Sequence, residues 1–200
     1  MRILISNDDG YKADGIIQLA KSLSEIAEVS RGKFTPRPRN NPIYYGGNIP
    51  FIQTGDVGRA NYFIQSHEQT LNKKGLEVSK LFKKGTIFLT IAANIGDVAI
   101  STYDVACTDS VVGIEANESC NSLWLLFYLS RMKRYLDHIA TESAQKNINL
   151  ATIRPLKISV PPLDEQLRIK DNLLQLIAAE EAIHNKNESI KKIRESLVQE

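Results

Sequence analysis

The chain has 200 residues, enough for one domain with a buried core or for a domain with an appendage. Its 42% hydrophobic and 24% charged residues are typical of a globular protein, and no apolar run reaches the roughly 18 residues of a membrane span. The net charge of +2 indicates little about a partner. Asn7, Asp8 and Asp9 interrupt the short apolar run at the N-terminus, which does not predict a signal peptide, so we expect a cytoplasmic protein.

Positive charge is concentrated in one segment, between Arg31 and Lys74. This segment contains seven Lys or Arg residues against two acidic residues, Asp56 and Glu68. Such an excess is expected of a surface that contacts phosphates. The same excess also fits a solvated basic loop region, and charge alone does not decide between the two.

The first part of the chain, residues 1–30, predicts a strand, a turn and a helix. Arg2–Ser6 is a short apolar run, and the polar sequence Asn7-Asp8-Asp9-Gly10 predicts a turn after it. The predicted helix follows from apolar residues that recur at spacings of three and four, namely Ile16, Leu19, Ala20, Leu23, Ile26 and Ala27.

The second part, residues 31–163, predicts a compact α+β domain. The segment from Phe34 to Pro50 has four prolines and two glycines, which exclude a long regular element. A mostly buried helix is predicted over Asn121–Tyr135. Short runs bounded by turn residues predict strands at Ile49–Thr54, Thr86–Ala92, Asp97–Ser101 and Ser110–Ile114. Cys107 and Cys120 have no metal-binding or redox spacing, so we interpret them as packing residues, with a disulfide between them as the alternative.

The third part, residues 164–200, predicts one long helix that pairs with another helix. It follows Pro161-Pro162, and Asp164 is the predicted capping residue. A hydrophobic repeat of seven predicts a left-handed supercoil, in which the polar seam residues Glu180, Asn187 and Arg194 fix the register. A helix folded back on its own domain is the alternative. The apolar seam residues are Ile169, Leu173, Leu176, Ile183, Ile190 and Leu197.

Four stretches, in order along about 175 residues, resemble the specificity subunits of type I restriction-modification systems. The first is Leu23-Ser-Glu-Ile-Ala-Glu-Val29 with Arg31-Gly-Lys33, and the second is Tyr44-Tyr-Gly-Gly-Asn-Ile-Pro-Phe-Ile-Gln-Thr-Gly-Asp-Val57. The third is Thr90-Ile-Ala-Ala-Asn-Ile-Gly-Asp-Val-Ala-Ile100. The fourth extends from Asn147-Ile-Asn-Leu150 to Val160-Pro-Pro-Leu-Asp-Glu-Gln166.

The resemblance implies a DNA target recognition domain at residues 31–163, followed by a spacer helix. In such a domain, phosphate contacts set the position and base contacts set the sequence. Arg37, Arg39, Lys73 and Lys74 are the candidates for phosphate contacts. The amides of Asn48, Gln53 and Asn94 are able to recognise adenine. Tyr44 and Tyr45 are candidates for stacking at a groove edge. The alternatives are that these tyrosines anchor a loop and that Asn94 is a turn residue.

Specificity subunits of this family usually have two recognition domains, whereas this chain has one. The resemblance therefore implies a half-subunit that forms an antiparallel homodimer through its helix and recognises a bipartite DNA target. Methyltransferase and restriction subunits, which contain the catalytic residues in such systems, are the expected protein partners. Under this interpretation the chain is not an enzyme and has no cofactor.

The first thirty residues resemble a different family, the survival protein E nucleotidases. That resemblance implies a divalent cation bound by Asp8 and Asp9, since adjacent carboxylates suit a hard cation. It stops near Ser30, before the other ligands of that family, so we interpret the chain as a fusion. The alternative functions are a metal-dependent 5'-nucleotidase or phosphatase, a helix-mediated scaffold and a non-functional chimera.

Overall fold

The computed structural model describes residues 19–141 and 147–198. They form an α+β body, which ends at residue 162, and one long helix after it. The strands are β1 (Leu19–Ser22), β2 (Ala27–Arg31), β3 (Tyr45–Ile52), β4 (Phe63–Ile64), β5 (Gln69–Leu71), β6 (Leu81–Phe82), β7 (Ile87–Thr90), β8 (Val98–Ser101), β9 (Val105–Cys107), β10 (Val111–Ala116) and β11 (Lys157–Val160). The helices are α1 (Leu23–Ile26), α2 (Thr54–Arg59), α3 (Lys73–Glu77), α4 (Ser122–Arg131), α5 (Lys133–Thr141), α6 (Leu150–Ile153) and α7 (Leu163–Val198), with a 3-10 turn at Pro42–Tyr44.

A five-stranded sheet of order β2-β10-β7-β8-β4 forms the centre of the body. Its strand β7 is buried at every residue, because both faces of the sheet are covered. Ile87 and Leu89 pack with α4 in one core cluster, whereas Phe88 between them packs in a second cluster on the other face. Successive side chains of a strand point to opposite faces, so one strand contributes to both layers.

A four-stranded sheet of order β5-β3-β9-β6 packs against that second face. Ile52, Phe82 and Val105 belong to the cluster between the two sheets. The outer face of the four-stranded sheet has its own small cluster, which includes Phe51 and Leu71. The body therefore has three layers, helices on one side and the four-stranded sheet on the other side of the central sheet.

The predicted α+β class and the long C-terminal helix are confirmed. The four predicted strands correspond to β3, β7, β8 and β10, with shifts of a few residues at their ends. The largest shift is in β3, which begins at Tyr45 and ends at Ile52, because Gln53 already caps α2 and Thr54 lies within that helix. Residue alternation therefore predicted the strands but not their exact limits.

The predicted helix over residues 16–27 is wrong where the structure describes it. Residues 19–22 form β1, which pairs with β11, and β2 from residue 27 pairs with β10. Only α1, four residues long, lies between them. The pairing partners lie far along the chain, so local periodicity could not indicate them. The predicted domain boundary at residue 30 falls inside β2, and Asp8 and Asp9 lie outside the described residues.

The predicted helix over Asn121–Tyr135 is divided in two. The side chain of Asn121 caps α4 by accepting hydrogen bonds from the amides of Leu123 and Trp124, both at 3.1 Å. The helix ends at Arg131, and α5 begins at Lys133. The predicted burial is confirmed for α4, whereas Tyr135 is 53% exposed, and the periodicity did not indicate the division.

Gln166 joins α7 to the body. Its side chain is fully buried, and its Oε1 accepts a hydrogen bond from the amide of Asn121 at 2.7 Å. Its Nε2 donates to the carbonyl oxygens of Ser119 at 3.2 Å and Pro161 at 2.9 Å. Asp164, predicted as the cap, instead lies in the first turn of α7, where a carboxylate interacts favourably with the helix dipole.

Cys107 and Cys120 are free buried thiols, in agreement with their interpretation as packing residues. Burial raises the pKa of both thiols, that of Cys120 to about 11. Across residues 19–141 and 147–198, no helix combines the length and the apolar character needed to span a bilayer.

Candidate nucleic-acid interface

A glycine-rich bulge interrupts β3 beside β5. Tyr45 and Ile49 both lie opposite Leu71, so the residues between them leave the regular ladder. Gly46 has a φ of 78°, which glycine adopts without strain. A Cβ on Gly47 would lie 2.4 Å from the carbonyl oxygen of Leu71, so only glycine fits there. The two glycines therefore allow the bulge to lie tightly against β5, and Asn48 is exposed at its end.

Tyr44 and Tyr45 anchor the start of β3. Both rings pack on the buried Phe34, at centroid distances of 6.0 and 5.7 Å. The Tyr45 hydroxyl donates a hydrogen bond to the carbonyl oxygen of Arg39 at 2.6 Å, and burial raises the pKa of this hydroxyl. Both tyrosines thus hold the loop that precedes β3 against the sheet, and their partly exposed rings leave some surface for a ligand.

Three arginines converge on Asp109, which follows β9. The Asp109 carboxylate lies 2.6 Å from Arg39 and 3.4 Å from Arg37, and Arg31 donates to its backbone carbonyl. One carboxylate balances only one of three positive charges. A guanidinium has five N–H donors, so Arg37 and Arg39, both exposed, retain donors for phosphate oxygens. Asp109 therefore orients the arginines without neutralising them.

Lys73 and Lys74 lie in the first turn of α3, close to the same loop. Asn72 caps this helix by accepting from the amide of Gly75 at 3.1 Å, and its Nδ2 donates to the carbonyl oxygens of Ile43 and Tyr45. The helix start is thereby joined to the beginning of β3. Both lysines are exposed. We use the name basic cluster for the surface formed by Arg31, Arg37, Arg39, Lys73 and Lys74.

Arg59 does not belong to the basic cluster. Its guanidinium lies 2.8 Å from the carboxylate of Asp56 and 2.6 Å from that of Glu68. Two carboxylates around one arginine give this end of the interface a local charge of about −1 at neutral pH. The positive excess of the sequence therefore lies in the basic cluster and is offset at Arg59.

Gln53 follows β3 and forms a side-chain pair with Gln69, the first residue of β5. The Nε2 of Gln53 donates a hydrogen bond to the Oε1 of Gln69 at 2.8 Å, and both side chains are exposed. Phe51, two residues before Gln53, lies opposite Gln69 in the pairing of β3 with β5. Gln53 was a candidate from the sequence, whereas Gln69 was not, because a single glutamine in a polar stretch has no distinguishing signal.

Asn94 lies in the turn between β7 and β8, away from β3 and β5. Its backbone carbonyl accepts a hydrogen bond from the Thr90 hydroxyl, and its neighbour Ala93 has a φ of 62°. The side chain is exposed beside Gly58, near the C-terminal end of α2, whereas Gln53 caps the other end. The length of α2, about 9 Å, separates the two amides along the helix axis. The turn role considered for Asn94 thus fits its backbone contacts.

No cluster of three or more His, Cys, Asp or Glu side chains in the described ranges is arranged to hold a metal ion. Asp8 and Asp9 lie outside those ranges. Asp109 and Gln69 are the residues of this surface that the sequence analysis missed. Asp109 lies in the polar sequence Thr108-Asp-Ser110, which from sequence indicates only a turn.

The apolar seam of α7 becomes more exposed along the helix. Ile169 packs against the core of the body, and Leu173 is partly buried. The following seam residues, Leu176, Ile183 and Ile190, are 65%, 62% and 50% exposed. The side chain of Leu197 lies outside the described part of the chain. The first turns of α7 therefore pack on the body and Glu181 still lies beside residues 56–68, whereas the seam residues Leu176, Ile183 and Ile190 are uncovered.

Comparison with known proteins gives one family for most of the chain. A family model described as "Type I restriction modification DNA specificity domain" matches residues 20–192. The type I restriction enzyme MjaIX specificity subunit of Methanocaldococcus jannaschii is 30% identical over 178 residues, which are 86% of this chain and 41% of that protein. The crystal structure of the HsdS subunit from Thermoanaerobacter tengcongensis has the same fold, with a TM-score of 0.63 and 20% identity over 80% of this chain and 38% of that chain.

The chain spans about two fifths of the length of these relatives. Its N-terminus matches a different protein, the 5'-nucleotidase SurE of Nitrosomonas eutropha, with 70% identity over 30 residues. That match covers 15% of this chain and 12% of the nucleotidase. Both resemblances noted in the sequence are confirmed, the second only as a short segment.

Proposed function

The chain belongs to the family of type I restriction-modification DNA specificity domains, and we propose that it recognises a specific double-stranded DNA sequence for such a system. The observation that supports this function is the position of the basic cluster beside exposed amides on one edge of the four-stranded sheet. Basic side chains fix a protein on the phosphates, and amides recognise base edges. The two lysines and the amides lie on β3, β5 and the segments next to them, and the three arginines meet at Asp109, which follows β9.

The basic cluster supplies the affinity that does not depend on sequence. Each phosphate neutralised by a Lys or Arg releases counterions, so binding weakens with salt by a logarithmic slope of about 0.9 per contact. Removing both lysines with Lys73→Ala and Lys74→Ala should lower this slope by about 1.8. Affinity should fall for every DNA sequence, because phosphates are present in all of them.

A matched control lies at the opposite edge of the same sheet. Lys83 and Lys84 are exposed beside β6, whereas Lys73 and Lys74 lie beside β5. The double variant Lys83→Ala and Lys84→Ala removes the same charge and should leave the slope unchanged. Equal slopes for the two double variants, measured by fluorescence anisotropy over a salt series, would contradict the proposed surface. Oligonucleotides selected from a random pool would then give the preferred sequence.

We also infer that α7 forms an antiparallel homodimer. Residues 163–181 contain five acidic and two basic side chains, whereas residues 182–198 contain two acidic and four basic ones. An antiparallel pair places the acidic half of each helix beside the basic half of the other, and a parallel pair would place like charges together. The uncovered Leu176, Ile183 and Ile190 would form the seam. Sedimentation as a monomer at micromolar concentration would contradict the dimer.

The chain is proposed to be a cytoplasmic, non-catalytic half-subunit of that system. A dimer of such chains presents two recognition surfaces to a bipartite target, and methyltransferase and restriction subunits supply the chemistry. The expected result is that the purified chain alone binds DNA but does not methylate or cleave it. Methyl transfer by the chain without a partner would contradict this assignment.

A further inference from the structure

Two exposed glutamines at the end of β3 form one hydrogen-bonded unit. Gln53 donates from its Nε2 to the Oε1 of Gln69 at 2.8 Å, across the β3–β5 ladder. The ladder fixes the backbone of Gln69, the start of α2 fixes that of Gln53, and the hydrogen bond restricts rotation of both side chains. A glutamine that is restrained before binding loses less side-chain entropy when it contacts a ligand.

We propose that Gln53, positioned by Gln69, recognises one adenine in the major groove. This inference rests on the proposed function, because it requires the surface to lie on DNA. An amide nitrogen has two N–H groups, and Gln69 takes one of them. Gln53 caps α2 through its backbone amide, which donates to Asp56, so its side chain has one N–H and its carbonyl oxygen for a base. Adenine presents N7 as an acceptor and the N6 amino group as a donor, which match these two groups.

The same two groups do not match the other bases as well. Guanine presents two acceptors, N7 and O6, so the Gln53 oxygen would face an oxygen. Cytosine presents its amino donor and thymine its O4 acceptor, so either could form one hydrogen bond and not two. Arg59, the arginine of the adjoining helix α2, is paired with the carboxylates of Asp56 and Glu68.

The charge around the pair separates its role from that of the basic cluster. Arg59 lies between two carboxylates, which offset its positive charge, and the two glutamines are neutral. Changing the neutral glutamines should therefore alter which sequence is bound while leaving the salt dependence as it is. Gln69 acts through Gln53 and is a positioning residue.

The test combines protein variants with a changed base. In the sequence selected by the wild-type chain, each adenine is replaced in turn by 7-deazaadenine, which lacks the N7 acceptor and keeps its base pair. With 7-deazaadenine at one of these positions, the wild type should bind about 10-fold more weakly than it binds the unmodified DNA. Gln53→Leu should bind the unmodified DNA about as weakly and show no further loss with 7-deazaadenine at that position.

Gln69 is tested by two substitutions. Gln69→Glu retains an oxygen that accepts from Gln53 and should keep the sensitivity to 7-deazaadenine, whereas Gln69→Leu should lose most of it. The control Gln65→Leu changes an exposed glutamine outside the pair and should behave as the wild type. Unchanged sensitivity at every adenine in Gln53→Leu, or a selected sequence without adenine, would overturn this inference. If the wild-type chain bound all DNA sequences with equal affinity, the proposed function itself would be overturned.

Discussion

The body and the distal half of α7 differ in how far they bury leucine and isoleucine side chains. In the body, leucine and isoleucine side chains such as Leu89 and Ile114 are fully buried between layers. On α7, Ile183 and Ile190 are 62% and 50% exposed. Single exposed apolar residues are common on proteins, but a repeat of seven on one helix face is typical of helix pairing. The body thus completes its core within one chain, whereas the exposed seam of α7 fits the helix pairing that we propose.

Gln166 joins these two regions, and its substitution should have the largest effect on stability. Gln166→Ala removes three buried or partly buried hydrogen bonds to backbone groups and leaves a space at the start of α7. We expect the free energy of unfolding to fall by about 3–5 kcal/mol, measured by urea denaturation. Gln175→Ala, at an exposed position of the same helix, is the control and should change it by less than about 0.5 kcal/mol. A similar small change in both variants would contradict this role of Gln166.

Substitutions in the uncovered seam of α7 should weaken association of two chains and leave the stability of the body unchanged. Introducing charge with Ile183→Glu and Ile190→Glu should weaken dimerisation at least about 100-fold, or about 2.8 kcal/mol, because apolar burial between the helices is lost. Analytical ultracentrifugation measures the change. Ala178→Glu with Asn185→Glu adds the same charge at the same spacing on another face, and there the dimer should persist. Dimers of equal strength in the two variants would mean that α7 does not pair through this seam.

The bulge in β3 should show a smaller effect that is specific to binding. Gly46 and Gly85 both have positive φ angles with open space around them, so alanine at either should cost about 1–2 kcal/mol of stability. Only Gly46 lies beside Asn48 and β5. Gly46→Ala should therefore also weaken DNA binding, whereas Gly85→Ala should not. If both variants bound DNA with the same affinity, the bulge would not be part of the DNA-binding surface.

The smallest expected effect concerns the reactivity of the Cys120 thiol. Its measurement needs no substitution, so the fold and DNA binding are unchanged. Burial raises the pKa of Cys120 to about 11, so roughly 0.1% of this thiol is ionised at pH 8. Its reaction with a chromogenic disulfide reagent should be about 100-fold slower in the folded than in the unfolded chain. The rate should rise as pH increases toward 11, because only the thiolate reacts. Equal rates in the folded and unfolded states would mean that the interior of the body is open.

Parts of the candidate interface could be proposed from the sequence because they depend on residue type. The sequence indicated Arg37, Arg39 and Gln53 because basic and amide side chains suit phosphates and bases. Asp109 and Gln69 could not be predicted, since their importance comes from partners that lie 70 and 16 residues away along the chain. Asn94 had the right chemistry, but the structure places it in a turn beyond α2.

The sequence by itself determined the α+β class, the strands β3, β7, β8 and β10, and the long helix with its seam of seven. These features repeat with a local period, so neighbouring residues are enough to indicate them. Only the tertiary structure decided that residues 19–31 form two strands around a short helix, since β1 and β2 exist through pairing with β11 and β10. It also decided which part of the α7 seam is uncovered, because burial depends on where Gln166 attaches the helix to the body.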